Sequence, residues 1–132
     1  MKKKFDDSIF NYKVVRCSSI KVPIIDYSLP IPKVDSKFKH EIDKYKLDIV
    51  HIHSPFTIGK YGINYAKSHH IPVIGTMHSQ YKQDFLRATN NEKLSSKLTK
   101  ILINNFNKCD ECWAVNQEVA RIYYEEYGYK EM

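Results

Sequence analysis

Three short apolar segments alternate with longer amphipathic segments between residues 47 and 127, and this alternation limits the fold more than any other feature of the chain. The apolar segments, 47–53, 71–77 and 112–115, have the length of strands. Strands that are joined through helices run parallel, and strands that are apolar throughout are usually covered on both faces. The sequence therefore predicts an α/β fold with a Rossmann-like parallel sheet and helices on both faces.

Helical spacing of apolar residues places the connecting helices at 58–69, 91–107 and 117–127. Asn116 stands where its side chain can cap the last helix, and Gly128 stands where that helix can end. The first 46 residues are less regular. Residues 13–20 are compatible with a strand, Pro23, Pro30 and Pro32 mark an extended loop, and Asp35 is expected to cap a helix over 35–45.

Length and charge exclude several classes of protein. The 132 residues have room for one compact domain. The net charge of +6 comes from lysines scattered among acidic residues, without an arginine-rich stripe, so we expect no nucleic-acid partner. No apolar run approaches the roughly 20 residues of a membrane span, and no apolar stretch follows the basic start as it would in a secretory signal. We expect a cytoplasmic protein whose dispersed lysines allow a peripheral contact with the inner face of the plasma membrane.

The three cysteines, Cys17, Cys109 and Cys112, are expected to be reduced thiols. Cys109 and Cys112 have CxxC spacing, but no second pair of ligands follows to complete a zinc site. A redox motif places its first cysteine at a helix N-terminus, whereas Cys109 follows a predicted helix. We interpret the pair as ordinary thiols at a junction between helix and strand.

The candidate binding segments follow from the sheet. Ligands of parallel sheets bind beyond the carboxyl ends of the strands, and this rule selects 53–59 and 78–84. His51 and His53 lie on one face of the first strand, because side chains alternate along a strand. From the residues alone they could be metal ligands, core residues or the mouth of a substrate pocket.

Three stretches in order carry a resemblance to a known family: "DIVHIHSPF" (48–56), "IPVIGTMHSQYKQDF" (71–85) and "CDECWAVNQEVARIYYEEYGYK" (109–130). Together they resemble the N-terminal domain of the retaining glycosyltransferases of family 4, which have the two-domain GT-B architecture. The chain departs from that family in lacking a glycine-rich loop upstream of Val14. It also lacks the second domain, which binds the nucleotide-sugar and carries a pair of glutamates. The resemblance therefore implies that residues 1–132 form a single, incomplete, acceptor-side domain.

The resemblance also implies roles for individual residues. A histidine at the position of His78 lies near the reacting sugar in such enzymes, so His78 is the expected catalytic residue. It would orient the donor or stabilise the transition state. His53, Ser54, Ser79 and Lys82 are the expected substrate-binding residues, and His51 is expected in the core. Tyr123, Tyr127 and Trp113 are also expected in the core. No carboxylate is placed to complete a metal site with His53 and His78, so neither a metal nor another cofactor is expected.

The function implied is that of a fragment of a retaining glycosyltransferase, one that builds a cell-surface polysaccharide or glycolipid. The complete enzyme would move a sugar from a nucleotide-sugar donor to a glycan or glycolipid acceptor, and this chain would be inactive alone. Two alternatives stand beside it. The chain could be a non-catalytic binding or interaction module that retains half of a GT-B fold, or a small doubly wound α/β protein with an unrelated ligand.

Overall fold

A computed structural model describes residues 5–23 and 27–130, and a short parallel sheet lies at its centre. The elements in chain order are β1 (Ser19–Val22), β2 (Tyr27–Pro30), α1 (Ser36–Asp43), β3 (Val50–Ile52), α2 (Thr57–Ser68), β4 (Val73–Met77), α3 (Tyr81–Thr89), α4 (Glu92–Asn107), β5 (Glu111–Ala114) and α5 (Gln117–Glu125). A 3-10 turn over Pro32–Val34 precedes α1.

The strands β3, β4 and β5 pair in that order and run parallel, which confirms the predicted α/β, Rossmann-like sheet. Val50 pairs with Val73, and Gly75 pairs with Cys112. Helix α2 joins β3 to β4, helices α3 and α4 join β4 to β5, and parallel pairing follows from such crossovers. The carboxyl ends of β3 and β4 therefore meet at one edge of the sheet.

Helices α2, α4 and α5 bury their apolar faces against the same face of the sheet. The buried residues form two clusters: Ile52, Ile63, Ala66, Val73 and Cys109 under α2, and Met77, Leu102, Ile103, Phe106, Val119, Ile122, Tyr123 and Tyr127 under α4 and α5. Gly75 makes the close approach of α4 possible, because an added Cβ there would stand 2.9 Å from the Phe106 ring. The expectation that Tyr123 and Tyr127 belong to the core is confirmed.

The opposite face of the sheet is open in the described part of the chain. Ile49, Trp113 and Val115 are 51%, 47% and 50% exposed there, and His51 and His53 are exposed beside them. Helical cover on both faces, as expected from the apolar strands, is therefore present on one face only. The expectation of a core Trp113 is wrong for the same reason, since its side chain points to the open face.

The amino-terminal part forms a hairpin instead of a strand and a loop. β1 starts at Ser19, later than the expected strand over 13–20, and pairs antiparallel with β2. Pro30 ends β2 opposite Ser19 instead of lying in a loop, a position where proline's missing N–H is tolerated. Asp35 caps α1 as predicted, because its carboxylate accepts the Phe38 N–H at 3.0 Å.

Candidate functional site

The histidines that follow β3 and β4 are hydrogen-bonded to each other. Nδ1 of His53 lies 2.9 Å from Nε2 of His78, with the ring centroids 5.2 Å apart. Both side chains are exposed at the carboxyl edge of the sheet. The expectation that these two histidines share one edge of the sheet is confirmed.

His51 belongs to the same group of side chains and not to the core. Its ring stacks on that of His53 with centroids 4.2 Å apart, and the Trp113 ring meets it edge-on at 5.3 Å. Its Nε2 lies 2.6 Å from the Thr76 hydroxyl. The expected burial of His51 is wrong because, among the described residues, no helix covers this face of the sheet. The three histidines and Trp113 form a continuous surface, which we call the histidine edge (His51, His53, His78 and Trp113).

The hydrogen bond between His53 and His78 limits the charge that the pair can carry. One ring nitrogen must donate and the other must accept, so the bond cannot survive when both rings are fully protonated. Partial desolvation lowers the pKa of His53, and the neighbouring His51 and His78 lower it further. The bond therefore requires that at least one of the two rings is neutral.

The loop after His53 is held rigidly against α2 and α4. Pro55 is buried, and its carbonyl accepts a hydrogen bond of 2.6 Å from Nδ2 of Asn105. The Ser54 carbonyl lies so close to Gly59 that a Cβ there would overlap it. The Ser54 hydroxyl is buried and has no hydrogen-bond partner within the described residues.

The segment after His78 was expected to be a loop through residue 84, but α3 begins at Tyr81. The Ser79 carbonyl accepts a hydrogen bond of 2.9 Å from the Tyr123 hydroxyl, so α5 fixes its position. The Lys82 ammonium lies 3.5 Å from the Glu92 carboxylate, on the side of α4. Of the four residues expected to bind substrate, His53 is hydrogen-bonded to His78, Ser54 and Ser79 follow the two histidines in the chain, and the Lys82 charge is paired with Glu92.

A groove of about 360 Å³ runs along the outer side of β3 and ends at the histidine edge. His53 and Ser54 line its polar end, and the remainder is mainly apolar, with Phe38, Ile42, Leu47, Val50, Ile52 and Ile58 among its walls. Its volume falls within the range of pockets that bind small molecules. Among the described residues, no three histidine, cysteine or carboxylate side chains are grouped so as to hold a metal ion.

Comparison with known proteins identifies the family. The family described as Glycosyltransferase Family 4 matches residues 3–132. This chain belongs to glycosyltransferase family 4. It is similar to the alpha-monoglucosyldiacylglycerol synthase of Acholeplasma laidlawii, with 43% identity over 49 residues, which are 37% of this chain and 12% of that protein. No solved structure matches the chain.

Membership of glycosyltransferase family 4 agrees with the observed architecture, since its Rossmann-like sheet is half of a GT-B fold. His51 and Trp113 of the histidine edge were not predicted as site residues, and neither was Thr76, whose hydroxyl contacts His51. The signal that could have indicated them is alternation. In β5, Glu111 and Trp113 are exposed at every second position, while Cys112 and Ala114 between them are more buried. Such alternation is typical of a strand with one open face.

Proposed function

We propose that this chain supplies the acceptor side of a retaining glycosyltransferase, with His78 as its catalytic residue. The complete enzyme would transfer a sugar from a nucleotide-sugar to a glycolipid. The observation that carries the proposal is the 2.9 Å hydrogen bond between His53 and His78 at the carboxyl edge of a family 4 sheet. Ligands of such sheets bind at this edge.

His78 and His53 would have different roles at the reacting centre. An imidazole at His78 can donate a hydrogen bond to a sugar hydroxyl and so orient the donor or stabilise charge in the transition state. His53 holds the His78 ring in place through its Nδ1. Ser54 and Ser79 lie next to these two histidines in the chain and would contribute hydrogen bonds to substrate hydroxyls.

A glycolipid, as acceptor or as product, is favoured over a polysaccharide by two observations. The relative in Acholeplasma laidlawii is named as a synthase of a glucosyldiacylglycerol. The groove beside β3 is mainly apolar with a polar end at His53, an arrangement that suits a molecule with an apolar tail and a sugar headgroup. The net charge of +6 favours work at an anionic membrane surface on the cytoplasmic side. No helix in the described ranges is long and apolar enough to cross a bilayer.

We predict that the 132-residue chain alone does not transfer sugar. The donor and the acceptor must be held together in one geometry for transfer, and such positioning supplies a large part of the rate acceleration. The nucleotide contacts would belong to a second domain, so nucleotide-sugar should bind weakly. The measurement is transfer of radiolabelled glucose from UDP-glucose to glycolipid, together with calorimetric titration of UDP-glucose.

The acceptor side of the proposal is tested by nuclear magnetic resonance of the histidine side chains. Detergent-dispersed monoglucosyldiacylglycerol should shift the ring resonances of His53 and His78, and leave that of His40, on the exposed side of α1, unchanged. Sugar transfer by the chain alone, or submicromolar affinity for UDP-glucose, would contradict the proposal that the donor-binding contacts belong to a second domain. Equal shifts at His40 and His78 would mean that the lipid has no preference for the histidine edge. They would contradict the proposed site and favour a binding module without catalysis.

A further inference from the structure

Two thiols outside the histidine edge line the same cavity. Cys109 follows α4 and is buried, Cys112 lies in β5 and is half-buried, and both are free. Cys109 lies between α4 and β5, three residues before Cys112. A cavity of about 220 Å³ is lined by both cysteines together with Tyr129, Lys130 and Glu111. A small reagent can therefore reach the pair from the solvent side.

Backbone contacts fix both thiols near the end of α4. Gly75 leaves the space that the Cys109 sulfur occupies, since an added Cβ would stand 3.1 Å from it. The Cys112 thiol donates to the Phe106 carbonyl at 3.3 Å, and the Cys109 thiol contacts the Asn105 carbonyl at 3.8 Å. The sequence interpretation as ordinary thiols at a junction between helix and strand did not include a shared cavity.

The two thiols differ in acidity and in access. Hydrogen bonds from the Cys109 and Tyr129 side chains lower the pKa of Cys112. The pKa of Cys109 is raised, because it donates to Cys112 and is desolvated by burial. The thiolate is the nucleophilic form of cysteine, so Cys112 combines the better nucleophile with the more accessible position.

We propose that Cys109 and Cys112 form a reversible dithiol–disulfide site that reacts with low-molecular-weight disulfides, with Cys112 as the attacking thiol. The Cys112 thiolate attacks one sulfur of the small disulfide, forms a mixed disulfide and releases one thiolate. The Cys109 thiol gives up its proton to that thiolate and attacks the Cys112 sulfur. The products are the Cys109–Cys112 disulfide, one small thiol and one small thiolate, which takes a proton from water, so two electrons pass from the protein to the reagent.

Alkylation of the unmodified chain is the first test. Reduced protein is treated with limiting iodoacetamide at pH 7, and each cysteine is quantified by peptide mass spectrometry. Burial raises the pKa of Cys17, which makes it an internal comparison. Cys112 should react about tenfold faster than Cys17, in line with its greater thiolate fraction. Equal rates at Cys17 and Cys112, or faster reaction at Cys109, would overturn the proposal.

The second test follows the disulfide itself in a Cys17→Ser background. Bis(2-hydroxyethyl) disulfide should remove two hydrogens from the intact mass and link the peptides that contain Cys109 and Cys112. With Cys109→Ser added, a mixed disulfide should accumulate at Cys112. With Cys112→Ser added, Cys109 should remain reduced over the same time. The absence of an internal disulfide in the Cys17→Ser protein, which keeps both thiols, would overturn the proposal even if a double variant failed to fold.

Discussion

The pairing of His53 with His78 makes each ring dependent on the other. A hydrogen bond between two imidazoles couples the tautomers of the two rings and engages one nitrogen of each, which leaves the other nitrogen to meet a ligand. His78 uses Nε2 for this bond, so its Nδ1 is available. His51 stacks on the back of His53 and restricts its ring further. A catalytic role for His78 thus depends on side chains from two neighbouring strands.

Replacing His78 tests that role in a complete enzyme that contains these residues. His78→Ala should lower kcat roughly 100-fold or more and change KM much less, the scale expected when a preorganised polar group is removed. Steady-state kinetics on protein whose folding is verified by circular dichroism provides the measurement. His40→Ala is the control, since His40 is an exposed histidine on α1, away from the histidine edge. Similar small effects of both substitutions on kcat would show that His78 is not catalytic.

Titration of His53 gives a second prediction at this scale. Its pKa in the folded chain should lie below the usual value of 6.5, because desolvation and two neighbouring imidazoles disfavour its charged form. The usual value of 6.5 applies to His53 in the unfolded chain. Between the lower folded pKa and 6.5, the unfolded chain therefore binds more protons than the folded chain. The contribution of His53 to stability is complete above pH 6.5 and is lost as the pH falls through the folded pKa. His78→Ala should raise the pKa of His53, as followed by nuclear magnetic resonance. A pKa of His53 at or above 6.5 in the unmodified chain would contradict the prediction.

At the scale of elements, the loop between β3 and α2 fixes the position of the histidine edge. Gly59, in the first turn of α2, allows this helix to approach the Ser54 carbonyl. Asn105 of α4 holds the same loop from the other side through the Pro55 carbonyl. The loop is thus fixed by backbone contacts and by a buried amide, and the direction of His53 depends on both.

Gly59→Ala should destabilise the chain by about 2 kcal/mol or more, because the new methyl group would overlap backbone atoms that cannot move independently. Gly62→Ala is the matched control in the same helix. Its Cβ would meet only the side chains of Ile52 and Val50, at 3.1 and 3.2 Å. The roughly 1 kcal/mol that alanine gains over glycine in a helix should offset that crowding. Urea denaturation measures both variants, and equal losses would mean that the Ser54 contact is not what restricts position 59.

Hydrophobic periodicity in the sequence predicted the helices and strands of the core. It missed α3 and the open face of the sheet. β3, β4, β5, α2, α4 and α5 were predicted because each combines apolar residues with a regular period. α3 was missed because none of its side chains is buried, and Gln80 before it makes no side-chain cap. The open face was missed because Ile49, Ile74 and Val115 are apolar, and a single sequence cannot show whether an apolar residue is covered. The proximity of His53 and His78 was predicted because parallel strands bring their carboxyl ends together.

At the scale of the whole molecule, two surfaces could meet a membrane, and they differ in physical character. One is the general positive charge of +6, carried by dispersed lysines. The other is the open face of the sheet, where Ile49, Trp113 and Val115 are about half exposed. Attraction through charge is screened by salt, whereas burial of apolar side chains in the bilayer is not.

We predict that binding to anionic vesicles is weak and electrostatic. Each lysine near an anionic surface contributes about 1 kcal/mol at low ionic strength, and the screening length falls from about 10 Å at 0.1 M salt to about 3 Å at 1 M. Sedimentation with phosphatidylserine-containing vesicles should therefore show binding at 0.05 M salt that weakens at least about tenfold by 0.5 M. Vesicles of phosphatidylcholine alone should not bind the chain. Trp113 is the only tryptophan, so its fluorescence reports on the open face, and Trp113→Ala should leave the salt-dependent binding unchanged. Equal binding to phosphatidylserine-containing and phosphatidylcholine vesicles at high salt would contradict the prediction. A blue shift of Trp113 emission under those conditions would place the membrane contact on the open face of the sheet.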